Sequence, residues 1–333
     1  MLKRVTVITV FIMLSAFGQA QQVKILVSGK PVSIRGLSVV DDQIVWVSGS
    51  EGSVGLSTDG GKNWKWIQVP HYEKSDFRDI EAFSGREAII MGITIPAVIL
   101  RTTDGGNSWK TVFEDTSQSA FLDAMDFSGD HAALVGDPVG ENIFFAESSD
   151  GGKSWKKISP SGFEATAAGE SFFAASGSNI HHIQNGNWAL VSGGKKSCLY
   201  FGNSRIPLLI NHGGETTGAN SIAVNPFDPN QAFIVGGDFK YDTIQSGNSL
   251  LIHFNPFNQT ASKTPPHGYR SCVEYISDKK LICCGTSGVD ISDDGGLNWK
   301  LISVNSFHVC SRSKSGNTVF LAGPKGSIAM LVP

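Results

Sequence analysis

The sequence is short of cysteine, of excess charge and of long apolar runs. Five cysteines are an odd number, which does not suit a disulfide scaffold. One bridge from Cys272 to Cys283 or Cys284, across a hairpin, stays open in an oxidising compartment. The net charge of −3 provides no basic surface of the kind that nucleic acids need, so nucleic-acid binding is not expected. Beyond the N-terminus, no stretch is long and apolar enough to span a membrane.

The first 20 residues have the pattern of a cleaved signal peptide. Lys3 and Arg4 precede an apolar run over 5–17, and Gly18 and Ala20 place small side chains before a cut after Ala20. The run is too short to cross a hydrocarbon core of about 30 Å comfortably. We therefore expect a secreted or periplasmic protein whose mature part, 21–333, is one domain.

An eight-residue motif occurs four times. It reads STDGGKNW at 57–64, TTDGGNSW at 102–109, SSDGGKSW at 148–155 and SDDGGLNW at 292–299. Its tryptophans lie 45, 46 and 144 residues apart, and 144 is three times 48. Two repeats between the third and fourth copies have therefore lost the motif but kept its period of about 46 residues.

Each motif lies between short runs of alternating apolar residues, which predict strands joined by hairpins. Repeats of this length with four strands are typical of β-propeller blades, so we predict an all-β, seven-bladed propeller. The seventh blade has only three strands of its own, and 23–28 is expected to supply the fourth and remove an open sheet edge. The predicted blades cover 31–70, 71–115, 116–160, 161–212, 213–265, 266–304 and the chain from 305 onward.

The motif is predicted to be structural. Its aspartate can accept backbone N–H bonds, its glycine pair permits positive φ, and its tryptophan buries a large ring beside the blade. The residues concerned are Asp59 and Trp64, Asp104 and Trp109, Asp150 and Trp155, and Asp294 and Trp299.

This motif resembles the Asp box, or BNR repeat, of sialidase-like propellers. The wider sequence resembles the photosystem II stability/assembly factor-like family of bacterial propellers. The segments that carry this likeness are FFAASGSNI (172–180), NSIAVNPFDPNQAFIVGGDF (220–239), GYRSCVEY (268–275) and GTSGVDISDDGGLNW (285–299). The resemblance implies a role in assembly or stability of a larger complex. The chain departs from the family pattern in blades 4 and 5, where INHGGE and FNPFNQ replace the box.

Binding residues are expected at one rim, called here the upper rim. It is built from the loops that lead into each blade and the loops that join second and third strands; the repeated motifs lie at the opposite, lower rim. Because guanidinium groups match carboxylates, three arginines there favour binding of an anionic protein segment or glycan. The expected binding residues are Arg35, Arg78, Asp123, Asp137, Asp238, Arg270, His308 and Lys325.

A glycoside hydrolase is the alternative. Most such enzymes need two facing carboxylates, for which Asp137 and Asp238 are the candidates. A sialidase-like enzyme would instead use a tyrosine nucleophile, Tyr241 or Tyr269, with Asp137 or Asp238 as the acid. The sequence SRIPLL at 204–209 resembles a sialidase signature, but it lies in the wrong part of the repeat. No dinucleotide-binding, Cys-x-x-Cys or metal-ligand spacing occurs, so no cofactor or metal is expected. The oligomeric state stays open.

Overall fold

The computed structural model describes residues 21–158, 163–183 and 187–333. The predicted signal peptide, 1–20, lies outside these ranges. Within them the regular structure is almost entirely β, with one short 3₁₀ turn at Pro324–Gly326. The strands form seven sheets, which are the blades of a seven-bladed propeller, as predicted.

In the first half of the chain, strand bounds follow the predicted period. The N-terminal strand is β1 (Gln22–Val27), and the first three blades each contain four antiparallel strands. Blade 1 contains β2 (Ile34–Val39), β3 (Val45–Gly49), β4 (Ser53–Ser57) and β5 (Lys65–Gln68). Blade 2 contains β6 (Phe77–Ala82), β7 (Ala88–Gly92), β8 (Ala97–Thr102) and β9 (Lys110–Asp115). Blade 3 contains β10 (Leu122–Ser128), β11 (His131–Val139), β12 (Asn142–Ser148) and β13 (Lys156–Ile158).

The second half adds two very short strands to this pattern, β14 (Glu170–Ser171) and β17 (Gly193–Gly194). Blade 4 contains β15 (Ile180–Ile183), β16 (Asn187–Val191), β18 (Cys198–Phe201) and β19 (Ser204–Pro207). Blade 5 contains β20 (Thr217–Val224), β21 (Gln231–Asp238), β22 (Ser249–Phe254) and β23 (Phe257–Ala261). Blade 6 contains β24 (Cys272–Tyr275), β25 (Leu281–Gly285), β26 (Gly288–Ser292) and β27 (Lys300–Ser303). Blade 7 contains β28 (Val309–Arg312), β29 (Val319–Ala322) and β30 (Ile328–Val332).

The N-terminal strand completes the seventh blade. Strand β1 pairs antiparallel with β30, from Gln22 opposite Val332 to Val27 opposite Ile328. The seventh sheet therefore has the order β1-β30-β29-β28. This pairing confirms the predicted closure, in which the two ends of the chain share one blade and leave no free edge on β30.

Apolar side chains fill the junctions between neighbouring blades. One cluster joins Val47 of blade 1 to Phe320 of blade 7, and another joins Trp46 of blade 1 to Ile90 of blade 2. Full burial of one such side chain contributes about 1.5–3 kcal/mol relative to exposure. All five cysteines are buried in these strands as free thiols, so neither proposed bridge from Cys272 is formed.

The four Asp-Gly-Gly turns share one hydrogen-bond pattern. In the first, Asp59 Oδ1 accepts the Asn63 N–H at 2.9 Å, and Ser57 Oγ accepts the Gly61 N–H at 2.9 Å. Gly60 and Gly61 have φ of 72° and 81°, which only glycine adopts without strain. Equivalent bonds at Asp104, Asp150 and Asp294 close the other three turns.

Candidate functional site

A repeated β-bulge points side chains toward the upper rim. The pairing register of the inner strand shifts by one residue at its start in four blades, so that one residue is left without a partner. These residues are Arg35, Arg78, Asp123 and Asn220. Because a bulge turns a side chain out of the regular alternation, four blades present a polar group at equivalent positions.

A pocket of about 410 Å³ lies at this rim. Its polar lining includes Arg35, Arg78 and Asn220 from the bulges. His308, from the start of blade 7, also lines it. Asp137 at the end of β11 contributes a carboxyl group. The structure therefore brings together Arg35, Arg78, Asp137 and His308 from the predicted set.

The floor of the pocket is the connection from blade 3 to blade 4, residues 171–178, which we call the strap. Arg35 Nη1 donates to the carbonyl of Ala175 at 3.1 Å, and Arg78 Nη1 donates to the carbonyl of Ala174 at 3.1 Å. Ser176 Oγ donates to the carbonyl of Ser271 at 2.7 Å. Each arginine thus gives one N–H to the strap, and a guanidinium has four further N–H donors.

Cationic groups dominate the pocket. Arg78 Nε forms an ion pair with Asp76 at 2.8 Å, with both side chains about one quarter exposed. Burial, and secondarily the nearby Arg78, lower the pKa of Arg35, although a guanidinium remains charged at neutral pH. Burial, followed by Arg35, lowers the pKa of His308 to about 4. The His308 ring is therefore neutral at neutral pH, and its Nδ1 donates to the carbonyl of Ile34 at 2.8 Å.

The two carboxyl groups of blade 3 occupy different depths. Asp137 is partly exposed, and its Oδ1 accepts the Phe172 N–H at 2.9 Å. Burial raises its pKa. Asp123 is fully buried, and burial, then the charge of Asp137, raise its pKa well above the usual range. Asp123 does not contribute to the pocket wall.

Aromatic rings form the opposite wall. Phe239 packs edge-on against Phe173 of the strap and Tyr269, with ring centroids 5.8 Å and 6.1 Å apart. Phe239 remains 44% exposed, so its ring is available to a ligand. Tyr269 is held in place by its hydroxyl, which donates to Asn220 Oδ1 at 2.8 Å. Arginine beside aromatic rings suits a ligand with both an anionic and an apolar part.

Arg270 lies away from this pocket. Its neighbours Tyr269 and Ser271 line the wall, and strand-like alternation directs Arg270 to the opposite side, where it is fully buried. Its guanidinium pairs with Asp290 and donates to Ser287 Oγ at 2.8 Å. We therefore leave Arg270 out of the proposed site.

Three further predicted residues are also outside the pocket wall. Asp238 is buried, and its Oδ1 accepts Thr216 Oγ1 at 2.8 Å and the Lys240 N–H at 2.9 Å, so it closes the turn that follows β21. Tyr241 is 60% exposed on that loop. Lys325 is exposed with φ of 57°. A glycosidase that used Asp137, Asp238 and Tyr241 would need all three in one pocket. Asp137 lines the pocket, whereas Asp238 and Tyr241 do not.

Sequence reasoning missed the strap and the phenylalanine rings of the aromatic wall. The strap, SFFAASGS at 171–178, lacks the alternation of a strand and lies between two blades. Phe121, Phe173 and Phe239 line the pocket, yet single phenylalanines in a β-rich chain carry no positional signal. A connection of unusual length before β15 was the available clue.

The chain was compared with known proteins by sequence and by structure. No protein-family model matches the chain. A stretch of 158 residues is 26% identical to the photosystem II assembly lipoprotein Ycf48 of Synechococcus sp. (strain CC9902), covering 47% of this chain and 43% of that protein. This stretch is homologous to Ycf48. The match spans less than half of the relative's length.

Solved structures show the same fold. A structure of YCF48 bound to D1 peptide superposes with a TM-score of 0.65, at 17% identity, over 95% of this chain and 96% of that one. YCF48 from Cyanidioschyzon merolae gives a TM-score of 0.66, at 20% identity, over 94% and 99% of the two chains. The predicted likeness to photosystem II assembly factors agrees with these findings. Placement in the sialidase-like superfamily stays a prediction.

No helix in the ranges that the structure describes has the length and hydropathy needed to cross a membrane. No cluster of three or more histidine, cysteine, aspartate or glutamate side chains in the same ranges is arranged to hold a metal ion.

Proposed function

We propose that this propeller binds a protein segment at the upper-rim pocket, with a carboxylate of the segment between Arg35 and Arg78. The observation that carries the proposal is the pair of arginines on equivalent bulges of adjacent blades, facing one pocket of about 410 Å³. Guanidinium forks match carboxylates in shape and charge.

The aromatic wall supplies the second half of the binding determinant. Phe173 and Phe239 lie on the same pocket as the arginines, so an apolar side chain next to the carboxylate would bury its surface there. Burial of apolar area contributes about 25 cal/mol per Å². The preferred segment is therefore a carboxylate flanked by an apolar residue, such as a free chain terminus.

The partial sequence match to an assembly lipoprotein supports a peptide ligand. The chain is homologous over part of its length to an assembly lipoprotein, and a protein of the same fold binds a D1 peptide. We infer an assembly-factor-like role in which the propeller holds a segment of another protein. We also propose that the mature unit, 21–333, acts outside the cytoplasm after removal of 1–20.

Fluorescence anisotropy with a labelled mixture of hexapeptides ending in phenylalanine tests the site. The free-acid mixture should bind, and the same mixture with amidated ends should bind at least tenfold more weakly, since a charge-assisted pair contributes about 1.5–3 kcal/mol. Arg35→Ala and Arg78→Ala should each reduce binding of the free acids. Arg86→Ala, at an exposed arginine on the lower rim, is the matched control.

Equal binding of the free-acid and amidated mixtures would contradict recognition of a terminal carboxylate. Unchanged binding in both pocket variants, with their folding intact by circular dichroism, would move the site elsewhere on the propeller.

A further inference from the structure

Asp123 occupies the same bulge position in blade 3 that Arg35 and Arg78 occupy in blades 1 and 2. Unlike the arginines, it is covered by the strap and fully buried. It therefore lies beneath the pocket floor, next to the residues that would bind the ligand.

Neither carboxyl oxygen of Asp123 has a hydrogen-bond partner among the described residues. Strand β6 presents Arg78 to it, β11 presents Asp137, and β7 carries no titratable side chain. The two histidines of β15 are near Asp126, at the lower end of the strand. The peptide N–H groups of Ala174 and Asp137 lie near the carboxyl without bonding to it, and the Asp137 N–H donates to the carbonyl of Phe121 at 3.0 Å instead.

A carboxylate in this position is unfavourable as an anion. Burying an ionised carboxyl without a hydrogen-bonded partner costs several kcal/mol, and such a group takes up a proton instead. The charge of Asp137 adds to this cost, whereas the charge of Arg78 reduces it. Arg78 already pairs with Asp76 and donates to the strap, so its charge is not fully available to stabilise an ionised Asp123.

Building on the proposed carboxylate-binding role, we propose that Asp123 is the pH-sensitive regulator of the pocket. It is a neutral acid while the pocket binds an anion, and its ionisation closes the pocket to anions. On ionisation the proton leaves to solvent, and the new negative charge competes with the ligand for Arg78. Binding of an anion and protonation of Asp123 thus favour each other, because linkage between two sites is reciprocal.

The other groups at the pocket do not produce the same response at neutral to alkaline pH. His308, with a pKa of about 4, is already neutral in this range. Tyr269 is buried, and burial raises its pKa further above the usual value. Asp137 is the one remaining carboxyl on the wall, so a variant at that position separates its contribution from that of Asp123.

The test measures affinity for the free-acid hexapeptide mixture from pH 6 to pH 9.5. In the parent protein the affinity should fall about tenfold as pH rises, within the usual range of site-to-site coupling. Asp123→Asn should bind as tightly as the parent at pH 6 and keep that affinity at pH 9.5. Asp137→Asn should retain a fall with pH, and Asp130→Asn, at an exposed lower-rim position, should match the parent.

A second measurement follows the titration of Asp123 without any ligand. In protein labelled with ¹³C at aspartate carboxyls, the buried Asp79 and Asp123 should both titrate well above pH 4, and Asp123→Asn or Asp123→Ser should remove one of these resonances. Asp123 titrating near pH 4, or the same fall of affinity in Asp123→Asn as in the parent, overturns the proposal. Absence of binding at every pH instead removes the proposed function together with its regulation.

Discussion

Blades 1, 2, 3 and 6 carry the Asp-Gly-Gly turn, and blades 4 and 5 do not. Each turn packs on the blade that precedes it. A side chain at Gly61 would meet Leu26 and Phe320 of blade 7, and one at Gly296 would overlap the ring of Phe233 in blade 5. The second glycine of the turn therefore lets two blades approach closely at the lower rim.

Blades 4 and 5, which lack this turn, each leave a cleft beside the preceding blade at the lower rim. A cleft of about 730 Å³ lies between blades 3 and 4, with Lys156 and Trp188 on its walls. A second, of about 480 Å³, lies between blades 4 and 5, beside Phe201 and Phe254. A hairpin that lacks the Gly-Gly-x-x-Trp segment leaves the space beside the preceding blade unfilled.

Blades 4 and 5 are joined by other means. Strand β17 leaves blade 4 and pairs with β20 at Gly193 and Gly218, so one six-stranded sheet runs through this junction. The buried carboxylate of Glu170 on β14 accepts the Tyr200 hydroxyl at 2.7 Å and Arg205 Nη2 at 2.8 Å. Local turns hold blades 1, 2, 3 and 6, strand exchange with a buried ion pair holds blades 4 and 5, and β1 closes blade 7.

Substitution of Glu170 is expected to lower the free energy of unfolding more than the other changes compared below. Glu170→Ala leaves Arg205 and Tyr200 without their shared partner, and breaking a buried ion pair costs about 3–5 kcal/mol. Urea unfolding followed by tryptophan fluorescence measures this loss. Glu87→Ala in blade 2 is the matched control, because the Glu87 carboxylate is one third exposed and Arg101 keeps its bond to the Gly151 carbonyl, so a smaller loss of about 1 kcal/mol is expected. Equal losses in the two variants would contradict a special role for Glu170 at the blade 4–5 junction.

Glycine substitutions compare the two kinds of hairpin directly. Gly296 and Gly202 have φ of 89° and 56°, so alanine is strained by about 1–2 kcal/mol at either position. Only Gly296 has a neighbouring blade in contact, whereas nothing lies within 4 Å of a side chain at Gly202. Gly296→Ala should therefore lose about 1–3 kcal/mol more than Gly202→Ala in urea unfolding, because of overpacking against Phe233. Similar losses of stability in the two variants would mean that packing of the turn against the preceding blade does not contribute to stability.

The regular part of this comparison was predictable from the sequence. Four copies of one motif at a constant period fix the number of blades, and the shortened seventh repeat implies closure by residues near the N-terminus. The strand exchange at β17 was not predictable, because two glycines at 193–194 carry no alternation pattern. Long-range pairing of so short a strand depends on the surrounding blades rather than on local propensity.

The sequence predicted which rim of the propeller holds the site, but it predicted only some of the residues that line the pocket. The repeat placed Arg35 and Arg78 correctly beside each other, since they follow the same bulge. It misplaced Arg270 because a difference of one residue reverses the direction of a side chain along a strand. Burial of Asp123 depends on the strap, whose path over blade 3 comes from contacts far apart in the sequence.

The smallest change in stability is expected from protonation of the turn aspartates at acid pH. The Asn63 backbone N–H, followed by its side-chain amide, lowers the pKa of Asp59 to about 2, and Ser108 does the same for Asp104. Asp150 is shifted in the same direction by Ser154. Because these pKa values are below the unfolded value of about 4, the stabilisation is complete above pH 4 and is lost as pH falls toward 2.

Urea midpoints between pH 5 and pH 2 test this link for the triple variant Asp59→Asn, Asp104→Asn, Asp150→Asn. The variant should be less stable than the parent at pH 5, and the difference should narrow as pH falls toward 2, because the parent begins to lose these charges on acidification. Thr58→Asn, at an exposed position in the same turn, should follow the parent throughout. Parallel curves for parent and triple variant would show that the turns fasten the blades through glycine and tryptophan packing, with no contribution from carboxylate charge.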